Sequence, residues 1–195
     1  STKSYQNLLI NNMIFLSAGH HSKHLVNPDP GAISKNGIKE GDLTIEFRNL
    51  VSYELTILGA AHRTDSDQET LQQYVNRIQT GSGSVVIEFH FDAGPPTATG
   101  STSLIEVDAD RLDKAFAKEL VDTTSSILGI KNRGVKTEAD TRHKRLALMK
   151  EDGLVCLLEL AFISNEDDLA KYNIKKKELA RAIAQILIKY EAIIP

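Results

Sequence analysis

The stretch VVIEFHFDAG, residues 85–94, is an apolar run that carries His90 near its end. A short run of this kind, rich in Val, Ile and Phe and closed by a Gly-Pro-Pro-Thr segment, reads as a buried strand. Two other segments are built the same way. In FLSAGHH, residues 15–21, the apolar residues 13–18 run into a Ser-Ala-Gly turn that carries His20 and His21. In LVCLLELAF, residues 154–162, Glu159 stands in an otherwise apolar run. The three runs share one design: a buried strand with an imidazole or a carboxyl group near its end.

Helical patterns lie between these strands. Leu43, Phe47, Leu50, Val51, Leu55 and Leu58 have helical spacing from Asp42, with Gly59 as the stop. Ser66 and Glu69 form a capping-box pattern that opens a helix through Leu71, Val75 and Ile78, ended by Gly81-Ser-Gly83. Leu112, Phe116, Leu120 and Ile127 mark a helix over residues 110–128, closed by Gly129. Residues 166–172 predict a short helix and residues 176–191 a long last one. Further strands are expected at residues 60–63, 100–107 and 145–149, and residues 131–143 read as a polar loop. Residues 20–41 form a long loop rich in Gly, Pro, Asn and Ser; a loop of that length within a compact domain is usually functional. Strands alternating with helices predict an α/β fold with a largely parallel sheet. No repeat or linker divides residues 1–195, which are expected to form a single domain.

Composition narrows the function. A chain of 195 residues with 41% hydrophobic and 25% charged residues is that of a globular protein with a real core. A net charge of −3 gives no sign of a nucleic-acid partner, and the basic run at residues 142–145 reads as a solvated loop. No apolar segment approaches the roughly 20 residues of a membrane span. Residues 1–12 are polar and residues 13–18 are too short for a signal-peptide core, so no signal peptide is expected. Cys156, the only cysteine, sits among apolar residues and reads as core rather than nucleophile.

In open α/β sheets, ligand sites gather at the carboxyl ends of the strands. His20 follows one such end, His90 lies at another and Glu159 is near a third. A catalytic zinc commonly takes three ligands from histidine and carboxylate and keeps one position for water. His20 and His90 are two candidates, and Gly37-Ile-Lys-Glu40 offers Glu40 as the third, just before the first helix. The ion would activate water and polarise a substrate carbonyl. Glu159 suits the acid–base role that such chemistry needs, because a partly buried carboxyl can have a raised pKa. The alternative for Glu159 is a structural ion pair with Arg133, Arg142 or Arg145. His21, His24 and Asp92 read as loop or supporting residues, and His62 and His143 as structural or surface residues.

The ordered set of motifs resembles the zinc-dependent N-acetylmuramoyl-L-alanine amidases of the amidase type 3 family, which cut peptidoglycan between the lactyl group of muramic acid and L-alanine. The resemblance runs through Ala18-Gly19-His20, Asp29-Pro30-Gly31-Ala32, Gly37-Ile-Lys-Glu40 and His62-Arg63-Thr64-Asp65. It continues through Phe89-His90-Phe91-Asp92-Ala93, Asn132-Arg133-Gly134-Val135 and the run from Leu157 through Glu159 to Asn165. It implies zinc held by His20, Glu40 and His90, Glu159 as the catalytic residue, and a twisted, mostly parallel six-stranded sheet flanked by helices. His21-Ser22 replaces the usual Gly-Gly, Asp92 an asparagine and Ala161 a frequent glycine; none of these is a proposed ligand. The short loop after His90 leaves no room for the autoinhibitory helix that some bacterial members carry. With no signal peptide expected, this points to a phage endolysin made in the host cytoplasm and released at lysis onto the cell wall. The 20–41 loop is expected to form one wall of an open groove. The residues alone also allow a zinc peptidase acting on stem peptides, or a silent wall-binding module.

Overall fold

The computed structural model describes residues 13–141 and 146–194. Six strands form one sheet: β1 (Ile14–Ala18), β2 (His62–Thr64), β3 (Val85–Asp92), β4 (Ser101–Ile105), β5 (Asn132–Thr137) and β6 (Leu154–Phe162). Their spatial order is β2-β1-β3-β6-β4-β5. Pairing is parallel throughout except between β6 and β4. Among the described residues, four helices flank the sheet: α1 (Glu40–Ile57), α2 (Leu71–Arg77), α3 (Arg111–Leu128) and α4 (Glu166–Ile193). The α/β reading and the six-stranded, mostly parallel sheet are borne out.

Strand alternation gives the sheet two different faces. Ile87, Phe89 and Phe91 of β3 enter the main core with Phe47, Val51 and Leu55 of α1 and Ile183 and Leu187 of α4. Phe47 meets Phe89, and Phe91 meets Tyr172, edge to face at 4.9 Å each, a favoured geometry for aromatic pairs. On the other face, Phe15, Val86, Val155 and Leu157 pack with Tyr74 of α2. Toward the carboxyl ends of the strands this second face turns polar, through Ser17, Glu88, His90 and Glu159. A bulge helps: His90 faces Glu159 in register but Asp92 faces Phe162, so β6 carries one extra residue there. Leu160 and Ala161 therefore both reach the main core, while Glu159 stays on the polar side.

Four expectations need correction. The 131–143 segment is not all loop, because residues 132–137 form the edge strand β5. An edge strand paired on one side carries polar, half-exposed residues and lacks the apolar run that marks a central strand. The strand expected at 145–149 is instead a 3-10 turn, Ala147–Lys150, which buries Leu148 and Met149; a short apolar run does not distinguish the two. The two C-terminal helices are one helix of 28 residues. No Gly or Pro interrupts residues 173–175, and Tyr172 and Leu179, two turns apart, stay on the buried face while Ile174 is exposed. The capping box also shifts: α2 is capped by Thr70 with Gln73, and Glu69 instead accepts a hydrogen bond from the Ser66 amide. The basic run 142–145, with His143, lies outside the described residues.

The α3 boundaries follow from Asp110, which caps the amino end reciprocally with Asp113, and Gly129, which ends it at φ 65°. At the start of α4, the fully buried Asp168 accepts from the Thr99 hydroxyl at 2.6 Å and from the Gly100 and Phe162 amides at 3.0 Å each. This carboxylate ties the β3–β4 connection to the end of β6. Asp168→Ala leaves two buried amides without their acceptor, each worth about 1–3 kcal/mol. Chemical denaturation should show a loss of roughly 2–5 kcal/mol; a loss below about 1 kcal/mol would show that water replaces the carboxylate.

Candidate active site

Each site residue is delivered by the end of a different element. β1 ends in Gly19, and His20 then takes φ 68°, the one non-glycine residue with positive φ among the described residues. Such a conformation is strained unless its surroundings hold it. Here Asp29 Oδ2 lies 2.8 Å from His20 Nδ1, and the loop is closed by the pairing of His21 with Asp29 and of Ile33 with Lys39. The Thr44 hydroxyl of α1 donates to the Gly19 carbonyl at 2.6 Å. Glycine is required beside both imidazoles. A Cβ on Gly19 would overlap the His90 ring, and one on Gly31 (φ 64°) would lie 2.5 Å from His20 Cδ2 and 2.7 Å from Glu40 Oε2.

Glu40 is the first residue of α1 and only 4% exposed. Its Oε1 accepts from the Phe91 amide at 3.1 Å and lies 2.9 Å from His90 Nδ1. Its Oε2 accepts from the Ala32 amide at 2.9 Å and lies 3.1 Å from His20 Nε2. Burial disfavours the charge on Glu40, but the hydrogen bonds from His20 and His90 outweigh it and hold the carboxyl far below the usual range. The same balance acts on the imidazoles. Burial opposes their charge, yet Glu40 and Asp29 raise the pKa of His20, and Glu40 and Glu88 raise that of His90 well above the ordinary value.

His90 is held from its far side too, with Nε2 lying 2.9 Å from Glu88 Oε1. Across the β3–β6 pairing stands Glu159, whose Oε2 is enclosed and has no hydrogen-bond partner among the described residues. Burial pushes its carboxyl up to about 8, with His90 acting in the opposite sense and Asp92 and Glu40 adding to the rise. Arg133 does not pair with it; the guanidinium lies over the Phe162 ring at 5.1 Å. Arg142 and Arg145 lie outside the described residues.

His20, Glu40 and His90 each offer one ligand atom, and these atoms lie within 4.8 Å of one another. Ligands of one zinc at about 2.0–2.2 Å have to sit about 3–4 Å apart, so the donor set and its spacing fit a single small cation. The three residues expected as ligands are thus brought together, with Glu159 next to them. All four line a groove of about 500 Å³. Ala32 of the long loop, Thr102, Lys136 and Asp140 line it as well.

Among the described residues, His21, His24 and His62 lie outside the ligand cluster. His21 and His24 stay in the loop, with His24 Nδ1 accepting from the Val26 and Asn27 amides at 3.2 and 3.0 Å. His62 lies 2.7 Å from the Ser52 hydroxyl and 2.9 Å from the Ala60 carbonyl. Cys156 is fully buried and its thiol is pushed up to about 12 by that burial. Sequence reasoning missed Asp29 and Glu88 as partners of the two imidazoles. A signal existed for Glu88: it precedes His90 by two residues, so a strand places both on one face.

An α/β sheet that gathers two histidines and two glutamates at the ends of its central strands has its polar site where enzymes of this architecture carry theirs. The chain belongs to the N-acetylmuramoyl-L-alanine amidase family, whose profile matches residues 14–189. It is therefore of the enzyme class that hydrolyses amide bonds of peptidoglycan. A proposed N-acetylmuramoyl-L-alanine amidase from Neisseria meningitidis is 32% identical, with TM-score 0.71 over 91% of this chain and 94% of that one. An N-acetylmuramoyl-L-alanine amidase from Clostridium difficile 630 shares the fold at 19% identity, with TM-score 0.77 over 94% of this chain and 98% of that one. The uncharacterized protein YqiI of Bacillus subtilis (strain 168) is 26% identical over 162 residues, 81% of this chain and 73% of that protein.

Proposed function

We propose that the chain is a zinc-dependent amidase that hydrolyses the bond between the lactyl group of N-acetylmuramic acid and L-alanine, acting in cell-wall lysis as a phage endolysin does. One observation carries the reading: the His20–Glu40–His90 cluster opens into the groove beside Glu159, whose Oε2 has no hydrogen-bond partner among the described residues. Zinc held by these three residues would supply a Lewis acid and an activated water.

The chain's own residues do the rest. Glu40, fixed by two backbone amides, stays anionic and presents its oxygens to both imidazoles. Glu159 exchanges a proton at its enclosed carboxyl, taking it from the attacking water and giving it to the leaving amine of L-alanine. Its place on the groove beside the three clustered residues suits a group that has to carry a proton in one step and release it in another. The open groove admits a polymer rather than a small molecule alone. The β3–β4 connection, residues 93–100, contains no helix, which supports an enzyme that needs no displacement of an inhibitory segment. Among the described residues no helix is long and apolar enough to cross a membrane, and peptidoglycan is the proposed partner.

Digestion of purified peptidoglycan, followed by mass spectrometry of the products, tests the reaction. The expected result is muramic acid with a free lactyl carboxylate together with peptides beginning at L-alanine, and loss of both in the presence of a chelator. New termini within the stem peptide would make the chain a peptidase instead. Unchanged cleavage in chelator, with zinc absent by elemental analysis, would remove the metal from the reading.

A further inference from the structure

Glu88 is a carboxylate in the middle of the sheet, 2% exposed, on a strand paired on both sides. An ionised group in that place is costly unless it is hydrogen-bonded. Its two oxygens have different partners. The Ser17 hydroxyl, opposite it in register on β1, donates to Oε2 at 3.0 Å. His90 Nε2, two residues along on the same face, lies 2.9 Å from Oε1. The other nitrogen of that ring, Nδ1, faces Glu40.

We propose that Glu88 is a positioning residue for the metal site: anchored by Ser17, it accepts the Nε2–H of His90 and so directs the Nδ1 lone pair toward the ion. The proposal rests on the metal reading of the His20–Glu40–His90 cluster. Imidazole has one proton to place when neutral, and the carboxylate that accepts it decides which nitrogen is free to coordinate. Glu88 does for His90 what Asp29 does for His20, but from the rigid centre of the sheet rather than from a loop. Its anchor is a side chain of the neighbouring strand, so the ring plane is fixed by strand register. An apolar residue at position 88 would suit the surrounding sheet at lower cost. A role in holding the imidazole accounts for the carboxylate.

The test is metal affinity, not turnover. Zinc dissociation constants are measured by competition with a chromophoric chelator for the wild type, Glu88→Ala, Glu88→Gln and Ser17→Ala, with visible spectra of the cobalt-substituted proteins. Removing a carboxylate that orients a ligand typically weakens binding about 10–100-fold. That loss, with a shifted cobalt spectrum, is expected for Glu88→Ala. Glu88→Gln, which keeps an oxygen to accept the Nε2–H, should lie between it and the wild type. Ser17→Ala should weaken binding by less than about 10-fold.

Unfolding midpoints taken in chelator separate positioning from folding. Lower midpoints with wild-type dissociation constants and cobalt spectra would make Glu88 a fold-holding residue and overturn the proposal. If Glu88→Ala does not fold, wild-type affinity in both Glu88→Gln and Ser17→Ala overturns it equally. A wild type that binds no zinc would sink the metal reading and this proposal together, whereas tight wild-type binding matched by every variant would sink this proposal alone.

Discussion

Glu159→Gln is expected to lower peptidoglycan hydrolysis about 10²–10⁴-fold, the range that a positioned acid–base group supplies, while zinc content stays at the wild-type level. The separation follows from where Glu159 stands. It faces His90 across the β3–β6 pairing but is not one of the three clustered ligand residues. Its Oε2 makes no hydrogen bond among the described residues, so the substitution breaks no structural contact at that atom. It also removes a group that is costly to ionise where it is, and the thermal midpoint should be unchanged or higher. Zinc analysis, turnover of labelled cell wall and a melting curve on one preparation check all three points. Hydrolysis near the wild-type rate would make Glu159 structural and require another base.

Glu40→Ala should act on both metal and fold. Glu40 meets both imidazoles and accepts from the Ala32 and Phe91 amides. Its loss removes the only carboxylate of the ligand cluster, and bound zinc should fall from about one per chain to background. This effect should exceed the roughly 10–100-fold that an orienting residue is worth, and hydrolysis should vanish with the metal. The metal-free protein should also be weaker, because the buried Phe91 amide loses its acceptor at about 1–3 kcal/mol, and the half-buried Ala32 amide loses its own as well. Elemental analysis and denaturation in chelator check the two effects separately. Full zinc in a folded Glu40→Ala protein would remove Glu40 from the ligand set.

The contrast between these residues shows what a linear reading captures. Glu159 is conspicuous in sequence because eight apolar neighbours surround it in residues 154–162. Glu40 is not conspicuous: a glutamate at a helix start is ordinary, and motif order, more than local pattern, singled it out. Glu88 lay in plain view within the β3 run, but what it does depends on the rotation of one imidazole. Arg133 was a plausible partner for Glu159 by charge alone, and only packing shows that it covers Phe162 instead. β5 escaped because edge strands bury too little apolar surface to leave a pattern.

The sequence by itself determined the elements whose signals are local. β1, β3 and β6 were legible as buried apolar runs with polar ends, α3 by its caps and periodicity, and the long loop by its composition. These follow from burial and backbone preference, which act over a few neighbouring residues. Only the tertiary structure decided the strand order, the bulge that sends both Leu160 and Ala161 into the core beyond Glu159, and the joining of α4 into one helix. It also decided which carboxylate meets which ring nitrogen: Asp29 and Glu40 on His20, Glu40 and Glu88 on His90. Those outcomes depend on distances of about 3 Å between residues far apart in the chain, set by strand register and helix docking, and no local pattern encodes them.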